Sequence, residues 1–95
     1  MFRIDDIIWL DPIVEKLAWK HSVSISEVEQ VLTGACRIFK KETGKVEGEH
    51  LYNALGTTNT GRYLSVFFIK KLNTKALIVT ARDMTSAERT KYEKK

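Results

Sequence analysis

Arg62-Tyr63-Leu64-Ser65-Val66-Phe67-Phe68-Ile69, a polar link over Lys70 to Lys75, and Ala76-Leu77-Ile78-Val79-Thr80-Ala81-Arg82 decide the fold of this chain. Both runs are rich in β-branched and aromatic residues and are bounded by turn formers, Gly61 before the first and Asn73 between the two, so they read as strands. The link is too short for a parallel crossover, which takes about a dozen residues or more, and the pair is therefore antiparallel. Alternation points Leu64, Val66 and Phe68 one way and Tyr63, Ser65, Phe67 and Ile69 the other. Both rows are largely apolar, which makes this strand central and covered on both faces. In the following strand Leu77, Val79 and Ala81 are expected as the inner row, with Ile78, Thr80 and Arg82 opposite. The second face of the sheet then carries apolar surface with no obvious lid.

Working outward, residues 35 to 40 and 48 to 55 share the period of two and are separated by a charged turn around Gly44, while Gly56 to Gly61 reads as a tight polar turn. Three or four sequential strands joined this closely form a meander. Upstream, the apolar period lengthens to three or four. Asp11 is expected to cap a helix with Pro12 at its first position, running to about Lys20 with Ile13, Leu17, Val14 and Ala18 on its apolar stripe. Ser24 and Glu27 form the capping box of a second helix, which buries Ile25, Val28, Val31 and Leu32 and stops at Gly34. Thr85 and Glu88 repeat that box for a weakly amphipathic last helix carrying Ala87, Lys91 and Tyr92. The expectation is one α+β domain over residues 1–95, with two N-terminal helices, a three- or four-stranded antiparallel sheet and a C-terminal helix. Trp9 and Trp19 read as core or helix-packing residues.

A chain of 95 residues with 43% hydrophobic and 29% charged side chains supports one core and no second domain. Its lone cysteine, Cys36, allows no internal disulfide and no cysteine-based metal centre. No secretory leader pattern opens the sequence, and no apolar run approaches the roughly 18 residues of a membrane span. The expected compartment is the cytoplasm. A net charge of +4 favours a polyanion or an acidic protein as partner. No glycine-rich phosphate loop, H-E-x-x-H or C-x-x-C pattern is present, so neither cofactor nor metal is expected.

The residues able to do chemistry are few. His21, next to Lys20 at the end of the first helix, reads either as a cap of the last carbonyls or as a proton-transfer or phosphate-contact group. Arg62 and Arg82 flank the best strands and can meet at one edge of the sheet, where a guanidinium fork matches a phosphodiester; the plainer reading pairs each with a carboxylate. Glu88 is a cap residue and a candidate general base, and Tyr92 lies one helical turn beyond it on the same face. Tyr52 and Tyr63 either stack on bases or pack against neighbouring strands.

Lys16-Leu17-Ala18-Trp19-Lys20-His21-Ser22-Val23-Ser24, Glu27-Val28, Ala54-Leu55-Gly56, Gly61-Arg62-Tyr63-Leu64, Thr80-Ala81-Arg82-Asp83-Met84-Thr85, and Glu88-Arg89 with Tyr92 together resemble the BrnT family of toxins from prokaryotic type II toxin-antitoxin systems. Leu10 separates Trp9 from Asp11 where that family commonly reads Trp-Asp. The resemblance spans roughly residues 7 to 93. It implies a fold like the RelE ribonucleases, metal-independent RNA cleavage that reduces translation, and neutralisation by a cognate BrnA-like antitoxin that also carries the pair onto DNA. The family pattern falls on Lys20 and His21, on Gly61 and Arg62, on Ala81 and Arg82, and on Glu88 and Tyr92. The mechanism it suggests uses the RNA 2′-hydroxyl as nucleophile, with Arg62 and Arg82 as phosphate clamps, His21 or Glu88 as base, and Tyr92 or Lys20 assisting the leaving group. Lys20 and Arg89 would add substrate contacts. A silent RNA-binding module and a protein-interaction module of the same fold are the alternatives.

Overall fold

The computed structural model describes residues 4–42, 50–71 and 74–94. The turn expected around Gly44, the start of the strand expected from residue 48, and Asn73 lie outside them. The described elements are β1 (Asp6–Ile8), α1 (Asp11–His21), α2 (Ile25–Thr33), β2 (Arg37–Glu42), β3 (Leu51–Thr57), β4 (Tyr63–Lys70), β5 (Lys75–Asp83) and α3 (Ser86–Glu93). Both capping boxes form as expected: the Ser24 and Thr85 hydroxyls accept from the amides of Glu27 and Glu88, whose carboxylates return to the cap amides. The start of α1 differs by one residue. Leu10 is its N-cap and makes no side-chain cap bond, while Asp11 sits in the first turn, where its charge opposes the helix dipole. Its far end closes through Ser22 at a left-handed φ of 53°, with the Val23 N–H donating to the Leu17 carbonyl at 2.9 Å.

Among the described residues the sheet has five strands in the order β1-β5-β4-β3-β2, not three or four. β2 to β5 form the expected antiparallel meander. The added strand is β1, which runs parallel to β5 with Ile7 opposite Ala76. Three residues are too few to show a period of two, and the partner of β1 lies at the far end of the sequence, so local pattern could not reveal it.

The inner row of β5 also differs. Phe67 faces Thr80 but Phe68 faces Ile78, so Val79 is the extra residue of a β-bulge and is 36% exposed. The slip reverses the alternation below it: Ala76 and Ile78 join Ala81 in the core, and Leu77 turns to the other face. Gly56, expected in a turn, is instead buried within β3. A Cβ there would meet Val31 Cγ1 at 2.9 Å and Cys36 Cβ at 3.1 Å, so glycine is what lets α2 lie this close to the sheet. The tight turn proper is Thr58 to Gly61, with Gly61 at φ 88°.

α1 packs over β5, and α2 over β3 and β4. Leu17, Val23, Val28 and Val31 meet Ala54, Leu64, Val66 and Phe68 in the core between them. Trp9 packs against this core. Trp19 does not: it is 75% exposed on α1, because Leu17 takes the buried position of that helix. No described helix is long and apolar enough to cross a membrane.

Candidate active site

Strand alternation and register place Arg37, Phe39, Asn53, Leu55, Tyr63, Ser65, Phe67 and Arg82 on the face of the sheet turned away from α1 and α2. α3 is the element that covers part of this face. The chain turns onto it where the Met84 N–H donates to the Tyr63 carbonyl at 3.1 Å, and the Thr85–Glu88 box starts the helix there. No residue of α3 is fully buried. Its attachment is polar and aromatic.

The centre of that attachment is a two-pronged ion pair. Arg82 Nη1 donates to Glu88 Oε1 at 2.6 Å, and Nη2 to Glu88 Oε2 at 3.0 Å. Glu88 Oε1 also accepts from the Thr85 amide at 2.9 Å, and Oε2 from the Ser65 hydroxyl at 3.2 Å. Burial by itself would raise the Glu88 carboxyl. The Arg82 hydrogen bond and charge, the Thr85 amide and the Ser65 hydroxyl together outweigh it and hold the group below the usual carboxylate range. Ser65 is in turn held by Asn53, whose Nδ2 donates to its hydroxyl at 2.8 Å.

Around this pair, cations lie on rings. Arg82 Cζ is 5.3 Å from the centroid of Phe67, Arg89 Cζ 4.0 Å from Tyr63, and Lys91 Nζ 3.8 Å from Phe39. Tyr92 meets Tyr63 edge to face at 5.9 Å. Arg37 stacks 5.7 Å from Phe39 and donates to the carbonyls of Lys91, Tyr92 and Lys94, which ties down the C-terminal end of α3. Positive charge interleaved with aromatic faces is the surface chemistry that single-stranded nucleic acid uses, phosphate to cation and base to ring.

The opposite face carries a second cluster. Arg62 Nε donates to Asp83 Oδ1 at 2.8 Å, Nη1 to both Glu27 oxygens at 3.1 and 3.2 Å and to the Ser22 carbonyl at 2.7 Å, and Nη2 to the His21 carbonyl at 3.0 Å. One fork thereby joins the end of α1, the start of α2 and the end of β5. For Glu27, burial raises the carboxyl, but the Ser24 amide and the Arg62 hydrogen bond and charge lower it further than that. The Arg62 hydrogen bond is the main reason Asp83 also lies below its ordinary value.

Both carboxyls are depressed by folding. Their contribution to stability is therefore present above roughly pH 4.5 and lost as pH falls through their folded values. Arg62→Ala is expected to cost about 1–3 kcal/mol at neutral pH, mostly through Glu27, because Asp83 is 67% exposed and screened by solvent. The gap to the wild-type protein should narrow between about pH 5 and about pH 3 in urea unfolding. A gap that stays constant across that range would contradict the assignment.

Of the residues singled out in the sequence, Arg82, Glu88, Arg89 and Tyr92 come together on the α3 face. His21 and Arg62 lie on the other face, and Lys20 is exposed in the last turn of α1. The two guanidiniums share one end of the sheet and are linked through Asp83, whose carboxylate holds Arg62 and whose carbonyl accepts from Arg82 Nη1 at 3.1 Å. They do not share a face, and each is engaged by carboxylate. Tyr52 stacks on Phe68 at 5.8 Å.

Sequence reasoning passed over Ser65, Asn53, Phe67 and Phe39. A polar residue inside an otherwise apolar strand was the available signal for Ser65. Among the described residues no group of three or more His, Cys, Asp or Glu side chains is placed to hold a metal ion.

The model of a family described as the ribonuclease toxin BrnT of type II toxin-antitoxin systems matches residues 13–88 of the chain. No curated protein matches the sequence. The fold is similar to the crystal structure of the Brucella abortus ribonuclease toxin BrnT, with a TM-score of 0.62 and 18% identity over 85% of this chain and 97% of that one. At that identity the likeness speaks for the fold, and the family pattern speaks for the sequence. The matched span runs from α1 through the Arg82–Glu88 pair, and the chain belongs to the BrnT family of ribonuclease toxins of type II toxin-antitoxin systems.

Proposed function

We propose that the protein is a cytoplasmic endoribonuclease that cleaves RNA on the α3 face by attack of the substrate's own 2′-hydroxyl, without a metal ion. The observation that carries this reading is the Arg82–Glu88 pair, a phosphate-matched fork and a carboxylate in direct contact beside rings that bases can stack on. An incoming phosphodiester competes with Glu88 for Arg82. When the fork moves to phosphate, Glu88 keeps its burial but loses its counter-ion. Burial, the largest influence on this carboxyl, then raises its proton affinity towards what a base needs.

In the reaction, Glu88 accepts the 2′-hydroxyl proton, and the 2′-oxygen bonds to phosphorus. The bond from phosphorus to the 5′-oxygen breaks, and that oxygen takes a proton from Tyr92. Arg82 and Arg89 neutralise charge on the phosphate oxygens. Glu88 takes the role of base in preference to His21, and Tyr92 the role of acid in preference to Lys20, because each shares the face of Arg82. Arg62, engaged by Glu27, Asp83 and the carbonyls of His21 and Ser22 on the other face, holds the elements that set this end of the sheet. Neutralisation falls to a BrnA-like antitoxin, which also carries the pair onto DNA.

Incubating the purified chain with end-labelled RNA, with and without a chelator, tests the reading. The expected products are 2′,3′-cyclic phosphate and 5′-hydroxyl ends in equal yield under both conditions. Products ending in 5′-phosphate, cleavage abolished by the chelator, or salt-dependent binding of RNA that stays intact would overturn it.

A further inference from the structure

Ser65 and Asn53 are polar, belong to the central strands, and are 0% and 1% exposed. Apolar residues of similar size would suit this place better for stability alone, since a buried polar group only breaks even when it is fully hydrogen-bonded. The two are bonded to each other and to the ion pair, in one direction only.

That direction follows from valence. Asn53 Nδ2 lies 2.8 Å from Ser65 Oγ and 3.2 Å from the Val66 carbonyl oxygen. A carbonyl oxygen can only accept, so the Asn53 atom facing both is the amide nitrogen, which can only donate. Ser65 Oγ must therefore accept from Asn53. Its single hydrogen is left for Glu88 Oε2, 3.2 Å away. The chain Asn53 to Ser65 to Glu88 thus ends in a hydrogen bond donated to one oxygen of the carboxylate. The other oxygen, Oε1, is the one nearer Arg82 Nη1 and the Thr85 amide.

We infer that Ser65, oriented by Asn53, is a positioning residue for Glu88, holding Oε2 so that Oε1 is presented to the 2′-hydroxyl once Arg82 has moved to phosphate. This rests on the reading of Glu88 as the base. Without the relay, a carboxylate released by Arg82 keeps only its Thr85 contact and can rotate about its last torsion. A reacting group that loses its orientation loses rate even when its chemistry is unchanged. A hydrogen bond donated to the carboxylate also favours its ionised form, so the relay adds to Arg82 and the Thr85 amide in holding Glu88 charged.

The test compares wild-type, Ser65→Ala and Asn53→Leu proteins in two ways. The acid limb of kcat/KM for RNA cleavage is expected to move to higher pH in Ser65→Ala, with kcat down roughly 3–10-fold, and to move less in Asn53→Leu. The second readout is carbon NMR of the Glu88 carboxyl titrated without RNA, which should show the same upward displacement whatever the catalytic role. A purely structural part for Ser65 and Asn53 predicts lower melting temperatures with superimposable titration curves and pH profiles, and that result would overturn the inference. Undiminished cleavage by Glu88→Gln, together with a displaced NMR titration, would instead overturn the assignment of the base and take the positioning role with it.

Discussion

Glu88→Gln is expected to slow RNA cleavage by about 10²–10⁴-fold, the range associated with losing a general base. The substitution is informative because glutamine separates the capping role of Glu88 from its proposed role as base. A glutamine at the third position of the helix still completes a capping box, so α3 should start where it does now. Its side-chain oxygen can still accept from Arg82 or from Ser65. What it cannot do is take a proton. The melting temperature should therefore fall by only a few degrees, an estimate from a cost of about 1 kcal/mol in a chain of this size, while single-turnover cleavage nearly disappears. Cleavage within a factor of a few of wild type, in a protein that remains folded, would remove Glu88 from the chemistry. The base would then have to be sought at His21, on the other face.

Arg82→Ala is the second large effect, with an expected loss of about 10²–10³-fold in kcat/KM from removing a charged donor aimed at the reacting phosphate. This variant also leaves Glu88, 16% exposed at its side chain, without its counter-ion. Burial is then opposed only by Thr85 and Ser65, and the carboxyl rises. Relative to the wild-type protein, the acid limb of the residual activity therefore moves to higher pH. Arg82→Lys separates charge from geometry. Lysine restores a positive charge but not the planar fork, so it should recover the position of the acid limb better than it recovers the rate. In the wild-type protein the same exchange predicts that the acid limb of kcat lies at higher pH than that of kcat/KM. The first reports the complex, in which Arg82 has gone to phosphate, and the second the free enzyme. Coincident limbs, or an alanine variant as active as the parent, would sink the exchange of partners on which the mechanism depends.

Much of this site could be read from the order of residues, for reasons that differ by position. Ser24 with Glu27 and Thr85 with Glu88 declare their helices because a capping box is local: donor and acceptor are three residues apart and need no other part of the molecule. The meander from β2 to β5 is legible because its links are short and its hydrophobic period is two. Glu88 and Tyr92 share a face because helices place residues four apart on one side. Arg82 stands out as a charge at the end of an apolar strand.

What escaped depended on contacts between distant segments or on small irregularities. β1 pairs with a strand far away in sequence, and nothing in its three residues announces it. The bulge at Val79 reverses the faces of Leu77 and Ile78, and a single added residue leaves no mark in composition. Arg62 and Arg82 both invited a phosphate, yet alternation sends them to opposite faces, and the carboxylates of Glu27, Asp83 and Glu88 reach them by folding from three different elements. Ser65 and Asn53, 12 residues apart, become partners only because β3 and β4 pair in this register. Local geometry and short-range hydrogen bonds are encoded within a few residues. The burial and charge that tune Glu88 arise when β4, β5 and α3 come together, and no stretch of the chain carries that sum by itself.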